Sequence, residues 1–248
     1  MSAFLSAVKF LTIIPFKGAH EERNLPEAMI FFQVVGLLLG LVMAGLNNFM
    51  MTLGFDSLIA SVLLIIFLIM ATGALHLDGL ADTSDAMFSL NNDREELLRI
   101  MRDHHIGVMG VLSLISVILL KVSLIASLSS SVKALSLILM CVLGRWSMVF
   151  SMFLFPYARR EGKAGAFIQG INGRIFATAA VITLILAGAI LKTMGLAIFA
   201  AVTITAYAFG GFVSKRIKGI TGDTLGAVSE LSEAAVLFIV YFIEKGGL

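Results

Sequence analysis

Long apolar runs without charge alternate along the chain with short clusters of charged residues. Each run approaches the roughly 20 residues that an α-helix needs to cross the hydrocarbon core of a bilayer. The pattern predicts an all-α, polytopic integral membrane bundle of about seven transmembrane helices, at Ala28–Phe55, Ser57–Leu77, Ile106–Leu128, Ala134–Phe155, Ile175–Leu191, Met194–Val213 and Leu225–Ile243. The last segment contains two glutamates, and the bundle has one spanning helix fewer if that segment does not cross.

The N-terminal segment, residues 1–27, follows a different pattern. Its apolar stretch, Ala3–Phe16, is shorter than a crossing helix, has Lys9 in its middle and reaches Pro15 near its end. Such a stretch is typical of an amphipathic helix that lies in the membrane interface or re-enters it. The sequence indicates no separate soluble domain, so residues 1–248 are expected to form a single integral membrane domain.

Composition supports a lipid bilayer as the main surroundings of the chain. Of its 248 residues, 59% are apolar and 14% are charged, whereas soluble domains carry roughly 45–50% apolar and about 25% charged residues. The single cysteine, Cys141, excludes a disulfide framework and a multi-cysteine zinc site. A net charge of +2 gives no support to nucleic-acid binding.

The basic residues predict the orientation. If the loops alternate sides, 13 lysines and arginines fall on one side of the membrane and three on the other. The positive-inside rule places the richer side in the cytoplasm. The chain is thus expected in the cell membrane with its N-terminus and its longer loops on the cytoplasmic face, and those loops are 76–105, 156–174 and 214–224.

The stretch 73–85 carries the strongest chemical signal. Three aspartates at i, i+4 and i+7 share one face of a helix that the pattern continues from the end of the second span. Like charges so close together repel, and a divalent cation with hard oxygen ligands such as Mg²⁺ relieves that conflict. A fourth aspartate lies just before the third span. The predicted metal ligands are Asp78, Asp82, Asp85 and Asp103.

A second candidate stretch begins the last apolar segment. Glycines let backbone N–H groups approach a phosphate, and the start of a helix favours an anion. Carboxylates inside a span are costly and usually functional, although this segment could instead lie on the membrane surface. The predicted binding residues are Thr221, Gly222, Asp223, Glu230 and Glu233.

The sequence leaves open the role of two positively charged features. Arg145 lies in the middle of a predicted span and needs a partner or a water-filled cavity. The loop 156–174 either determines topology only or receives an anionic substrate.

These motifs resemble the cobalamin synthase family. Residues 73–85 resemble the family's Gly-Ala-x-His-x-Asp-Gly-Leu-Ala-Asp-x-x-Asp-Gly pattern, with Ala86 in place of the final glycine. Met101–Gly107 is similar to Met-Lys-Asp-Ser-Arg-Ile-Gly, although His104 and His105 replace the serine and arginine. The stretch 221–233 also matches a family block, and Phe10–Pro15 resembles the family's opening.

The resemblance implies a membrane-bound, Mg²⁺-dependent transferase. A hydroxyl of α-ribazole, or of its 5′-phosphate, would attack the cobinamide-linked phosphate of adenosylcobinamide-GDP, and GMP would leave. By analogy with phosphotransferases of similar motif type, Asp85 is the preferred general base, with Asp103 and His76 as alternatives. The oligomeric state is left open, a homo-oligomer included.

Three other functions are weighed against this one. A CDP-alcohol phosphotransferase needs an Asp-Gly-x-x-Ala-Arg run, whereas the run that starts at Asp78 has no arginine. An intramembrane prenyltransferase is expected to have two aspartate-rich segments. A transporter would suit intramembrane charges such as Arg145, Glu230 and Glu233, but the sequence has no repeated half.

Overall fold

The computed structural model describes residues 3–15, 25–159, 162 and 164–246, and these ranges are almost entirely helical. One isolated parallel bridge joins Tyr157 to Ile220. In chain order the α-helices are α1 (Ala3–Leu11), α2 (Leu25–Ala28), α3 (Phe32–Thr52), α4 (Ser57–Thr72), α5 (Leu75–Met87), α6 (Arg94–Ile100), α7 (Val108–Ser127), α8 (Ser130–Leu154), α9 (Gly165–Gly170), α10 (Gly173–Ile217) and α11 (Gly222–Gly246).

Five helical segments among the described residues are long and apolar enough to cross a membrane. A sixth crossing is available if the bent pair α4 and α5 counts as one span. The prediction of an all-α polytopic membrane bundle is thereby confirmed. The five segments are Leu25–Thr52, Val108–Ser127, Ser130–Leu154, Gly173–Ile217 and Gly222–Gly246.

The 45-residue helix α10 contains a chain reversal. Leu191 and Lys192 have non-helical backbone angles, and Lys192 has a positive φ of 52°. A Cβ on Gly195 would collide with the carbonyl of Ala187, although residues eight apart in a straight helix lie about 12 Å apart. The arms 173–190 and 193–217 therefore fold back on each other. Counted separately, they correspond to the fifth and sixth predicted spans.

The second span ends earlier than the sequence predicted. Gly73 and Ala74 both adopt left-handed backbone angles, and the amide of Ala74 bonds to the carbonyl of Ile69 to close the end of α4. Helix α5 then leaves at 90° to α4. The straight helix therefore stops at Thr72 rather than continuing to Leu77, and the aspartates lie on a separate helix after the bend.

Helix α8 lies at the centre of the bundle, with most of its residues buried. It packs closely against α3, where a Cβ on Gly36 would collide with the backbone of Cys141 and one on Gly40 would lie 2.5 Å from Cα of Ile138. Such contacts between small residues let membrane helices approach each other. Helices α10 and α11 also pack against α8, and α5 packs against α11.

Helix α1 has nine residues and is too short to cross a membrane. Leu11 is fully buried, and Phe10 stacks on Phe32 of α3 with 5.6 Å between ring centroids. Residues 16–24 of the predicted interfacial segment lie outside the described part of the chain. The same is true of residues 160, 161 and 163 in the predicted basic loop.

Candidate active site

The site is built where α5 crosses the beginning of α11. A Cβ on Gly79 would lie 2.5 Å from the backbone oxygen of Asp223, and one on Gly226 would lie 2.9 Å from the backbone oxygen of His76. The two helices touch through these glycines, since any side chain there would force them apart. The glycine of the Asp78-Gly79 pair thus brings the aspartates of α5 next to Asp223.

Asp78 and Asp82 face a common cavity of about 320 Å³ at this crossing, here called the aspartate cavity. Asp78 is exposed and Asp82 is half-buried. The pKa of Asp82 is raised from 3.8 to about 7, first by its burial and then by the nearby carboxylates of Asp223 and Asp78. Three carboxylates therefore lie close enough together here to repel one another. The other lining residues are Ala81, Met101, Arg102, Asp103, His104, His105, Ile106 and Arg159.

Arg159 is held against this acidic group by two loops that pair with each other. The amide of Ala158 donates to the carbonyl of Ile220, and the amide of Ile220 donates to the carbonyl of Pro156, each over 2.8 Å. The pairing places Nη2 of Arg159 2.7 Å from Oδ2 of Asp223. Nε of Arg159 is buried and has no partner among the described residues. Arg159 therefore brings a positive charge to the centre of the acidic group.

A second cavity, of about 230 Å³, meets the first at Asp78 and Arg159. It is lined on one side by His76 and on the other by Tyr157 and Asp223. His76 is 2% exposed, and its buried Nε2 has no partner among the described residues. His76 thus lies at the back of this second cavity, beside the contact of α5 with α11.

Asp85 points away from both cavities and holds the start of α7. Its Oδ2 accepts from the amide of Gly107 and its Oδ1 from the amide of Gly110, both over 2.7 Å. A Cβ at either glycine would collide with this carboxylate. Asp85 satisfies backbone donors that a helix start leaves free, so both of its oxygens are already engaged by this anchor.

Asp103 and His105 form an exposed pair on the rim of the aspartate cavity. Oδ1 of Asp103 lies 3.0 Å from the backbone nitrogen of His105 and 2.7 Å from its Nδ1. These bonds, first the backbone N–H and then the ring, lower the pKa of Asp103. A carboxylate that orients an imidazole in this way leaves the other ring nitrogen, Nε2, free to exchange a proton.

The residues that start α11 divide into two roles. Thr221 and Thr224 form a capping box, since each hydroxyl accepts from the other residue's amide over 3.2 Å. Thr221 is fully buried and lines neither cavity. Gly222 and Asp223 do line the second cavity. Thr221 thus caps the helix on which Asp223 lies.

Glu230 and Glu233 do not reach either cavity. They lie inside the bundle, where Nζ of Lys121 contacts both carboxylates, with 2.6 Å to Glu230. Arg145 pairs with Glu233 from the other side. The two positive and two negative side chains are all at most 8% exposed. The partner that Arg145 requires is therefore Glu233, and the glutamates are engaged with these cations rather than with the cavities.

The comparisons with known proteins agree with the motifs. The family described as cobalamin-5-phosphate synthase matches residues 3–241. The chain is 36% identical over 243 residues to the adenosylcobinamide-GDP ribazoletransferase of Desulforamulus reducens, covering 96% of each chain. It is 34% identical over 250 residues to the enzyme of that name from Alkaliphilus metalliredigens, covering 100% of this chain and 98% of the relative.

The chain belongs to the cobalamin-5-phosphate synthase family. The predicted resemblance is confirmed, and with it the prediction of a membrane-embedded transferase of cobalamin biosynthesis. No solved structure matches the chain.

The donors at the site of this family member suit a hard divalent cation. Among the described residues, no three histidine, cysteine, aspartate or glutamate side chains are spaced to hold a metal ion unaided. Of the four predicted ligands, Asp78, Asp82 and Asp103 line the aspartate cavity, whereas Asp85 lies outside it and accepts the amides of Gly107 and Gly110. Asp223 also lies near Asp82 and Asp78, and carboxylate oxygens are what Mg²⁺ prefers, usually one or two together with substrate phosphates.

Arg159 is the residue that sequence reasoning underrated. In the sequence it is only one of several cations in the loop 156–174. Its contact with Asp223 depends on the bridge between Tyr157 and Ile220, which lie 63 residues apart in the chain. A spacing pattern cannot reveal such a contact. The one available signal was the position of the loop on the same predicted side as the aspartates.

Proposed function

We propose that the chain joins adenosylcobinamide-GDP to α-ribazole or its 5′-phosphate and releases GMP. The observation that carries the proposal is the convergence of Asp78, Asp82, Asp223 and Arg159 where two adjoining cavities meet, which gives cation-binding carboxylates and a guanidinium within reach of one diphosphate. The names of the full-length relatives support the same reaction.

The bonds balance as a single displacement at phosphorus. The acceptor hydroxyl forms a new oxygen–phosphorus bond to the phosphate attached to cobinamide. The bond from that phosphorus to the bridging oxygen of the guanosine phosphate breaks, and GMP leaves with that oxygen. The hydroxyl proton passes to a base on the protein.

Asp78, Asp82 and Asp223 are the residues that would hold Mg²⁺. When bound, Mg²⁺ neutralises the charge of the diphosphate and of the leaving phosphate. Removing one of these carboxylates is expected to reduce turnover by about 10², the scale of losing one transition-state contact.

Arg159 binds the diphosphate in this proposal. Its guanidinium is planar and offers donors in a fixed fork that matches phosphate oxygens. The ion pair with Asp223 uses Nη2, and the Arg159 side chain lines both cavities, where the diphosphate would lie. The guanidinium therefore orients the phosphate beside the carboxylates.

The proton acceptor is His105, positioned by Asp103. Both residues line the aspartate cavity, and the hydrogen bond at Nδ1 turns Nε2 of the ring toward solvent or a ligand. Asp85, the base favoured by sequence analogy, is used to anchor α7. His76 lies at the contact of α5 with α11, where it supports the geometry of the neighbouring Asp78.

The size of the aspartate cavity fits the diphosphate part of the substrate but not the corrin ring. Ligand pockets span about 300–1,000 Å³, so 320 Å³ accommodates a diphosphate and an adjoining ribose. The corrin ring remains outside it. We further propose that the site faces the cytoplasm, because it shares an end of the bundle with Arg94, Arg99, Arg102, Arg159, Lys215 and Arg216.

Membranes that contain the protein test the proposal directly. GMP is measured after adenosylcobinamide-GDP is added with Mg²⁺, with α-ribazole or its 5′-phosphate either present or withheld. The proposal expects GMP and a joined cobamide product in equal amounts, both dependent on an acceptor, and a loss of about 10² in the matched Asp78→Asn membranes. Absence of acceptor-dependent GMP from the wild-type membranes would contradict it.

A further inference from the structure

A groove over α6 continues outward from the aspartate cavity. The two share Arg102 and Arg159, so a ligand in the cavity can extend into the groove without leaving the protein surface. The α6 groove has a volume of about 560 Å³ and is lined by Arg94, Glu95, Leu98, Arg99, Arg102, Ala158 and Arg159. Four of its seven lining residues are arginines, which makes it suited to an anionic group.

Three of these arginines are already engaged by the protein. Arg94 donates from Nε to the carbonyl of Ile217 over 2.8 Å and from Nη2 to that of Ala158 over 2.6 Å. Arg99 makes a bidentate pair with Glu96, one turn earlier on α6. Arg159 is paired with Asp223. These three side chains shape the groove and hold its walls.

Arg102 differs from the other three. Its side chain is exposed, and its guanidinium makes no hydrogen bond or ion pair with any residue in the described part of the chain. It lies two residues after the end of α6 and directly precedes Asp103, and it lines both the groove and the cavity. A guanidinium binds a phosphate group through paired, charge-assisted hydrogen bonds.

We infer that Arg102 binds a phosphate monoester on the acceptor substrate, so that the chain discriminates α-ribazole 5′-phosphate from α-ribazole. The inference rests on the proposed function and extends it to the choice of acceptor. In the phosphorylated acceptor, the reacting hydroxyl and the 5′-phosphate belong to the same ribose. A hydroxyl held in the aspartate cavity therefore places the phosphate at the mouth of the α6 groove, beside Arg102.

Kinetics with the two acceptors separate this role from others. kcat/KM is measured for α-ribazole 5′-phosphate and for α-ribazole, at saturating adenosylcobinamide-GDP, with wild type and with Arg102→Gln. The inference expects the ratio of the two values to fall at least about tenfold in Arg102→Gln through the KM of the phosphorylated acceptor, because a charge-assisted hydrogen bond is lost. Arg102→Lys retains the charge and is expected to restore part of the ratio.

Arg99→Gln is the matched control. It removes the same charge from the same groove, but from a side chain that Glu96 already holds, so the ratio is expected to stay within about twofold of wild type. An unchanged ratio in Arg102→Gln, or an equal loss with both acceptors, would overturn the inference while leaving the proposed function intact. If wild type used neither acceptor, the proposed function itself would fail.

Discussion

Oδ2 of Asp85 accepts a hydrogen bond of 2.7 Å from the backbone amide of Gly107, the N-cap residue just before α7. The other oxygen of the same carboxylate receives the amide of Gly110. The third aspartate of the 78–85 face thus joins α5 to α7 rather than facing the cavity with the first two.

Replacing Asp85 is expected to affect stability before chemistry. Asp85→Ala leaves two amides without an acceptor and should lower the free energy of unfolding by about 1–2 kcal/mol, as the loss of a helix cap does. Asp85→Asn keeps one carbonyl oxygen and should lose less. Thermal unfolding in detergent measures both effects. A normally stable Asp85→Asn protein whose pH–rate profile had lost its acidic limb would instead identify Asp85 as the base.

The contact between Gly79 and Asp223 predicts the effect of adding one methyl group. Gly79→Ala would place Cβ 2.5 Å from a backbone oxygen, and relieving such overpacking typically costs about 1–3 kcal/mol. We expect lower thermal stability and a large loss of turnover, because α5 must move away from α11. Gly45→Ala is the control, since a Cβ there meets nothing within 4 Å. Equal behaviour of the two variants would contradict the close crossing.

The buried ion pairs predict how thermal stability responds when one charged partner is removed. Lys121→Met leaves the Glu230 and Glu233 carboxylates without their lysine in the bundle interior, and breaking a buried pair from one side costs about 3–5 kcal/mol. The double variant Lys121→Met, Glu230→Gln removes one charge of each sign and should recover part of that loss. Thermal unfolding of both proteins in the same detergent checks this. A double variant less stable than the single one would show that the charges do not act as a group.

The pKa of Asp82 predicts a link between pH and the divalent cation. In the metal-free protein, the folded state binds more protons than the unfolded state between pH 3.8 and about 7, so stability falls as pH rises through this interval. A cation replaces the proton, and Mg²⁺ should therefore raise the unfolding temperature more at pH 8 than at pH 5.5. Asp82→Asn should remove the difference. An equal effect of Mg²⁺ at both pH values in wild type would contradict the assignment.

Much of the fold could be predicted because crossing helices follow a local rule, the length of an uncharged apolar run. The end of the second span could not be predicted, because it depends on the left-handed backbone conformation of Ala74, which an alanine in the sequence does not indicate. The hairpin inside α10 was anticipated from the charge of Lys192 between two apolar runs.

The site was predictable only in part, for a related reason. The spacing of Asp78 and Asp82 on one helix face is a local property and indicated the right surface. Asp85 shares that face by spacing, but its carboxylate accepts the amides of Gly107 and Gly110, a tertiary contact that the spacing does not show. The pairing of Lys121 with Glu230, 109 residues later, and that of Arg159 with Asp223 are tertiary contacts that no pattern along the chain encodes.

A metal-switch experiment tests the central claim, that Asp78 holds a divalent cation against the diphosphate. In Asp78→Cys the ligand becomes a soft thiolate, which prefers ions such as Cd²⁺ to Mg²⁺, while Asp85→Cys provides a matched change on the same helix face. GMP release is measured with each ion. The account predicts that Asp78→Cys is inactive with Mg²⁺ and regains activity with Cd²⁺, while Asp85→Cys shows no such switch. A switch in Asp85→Cys alone would contradict it.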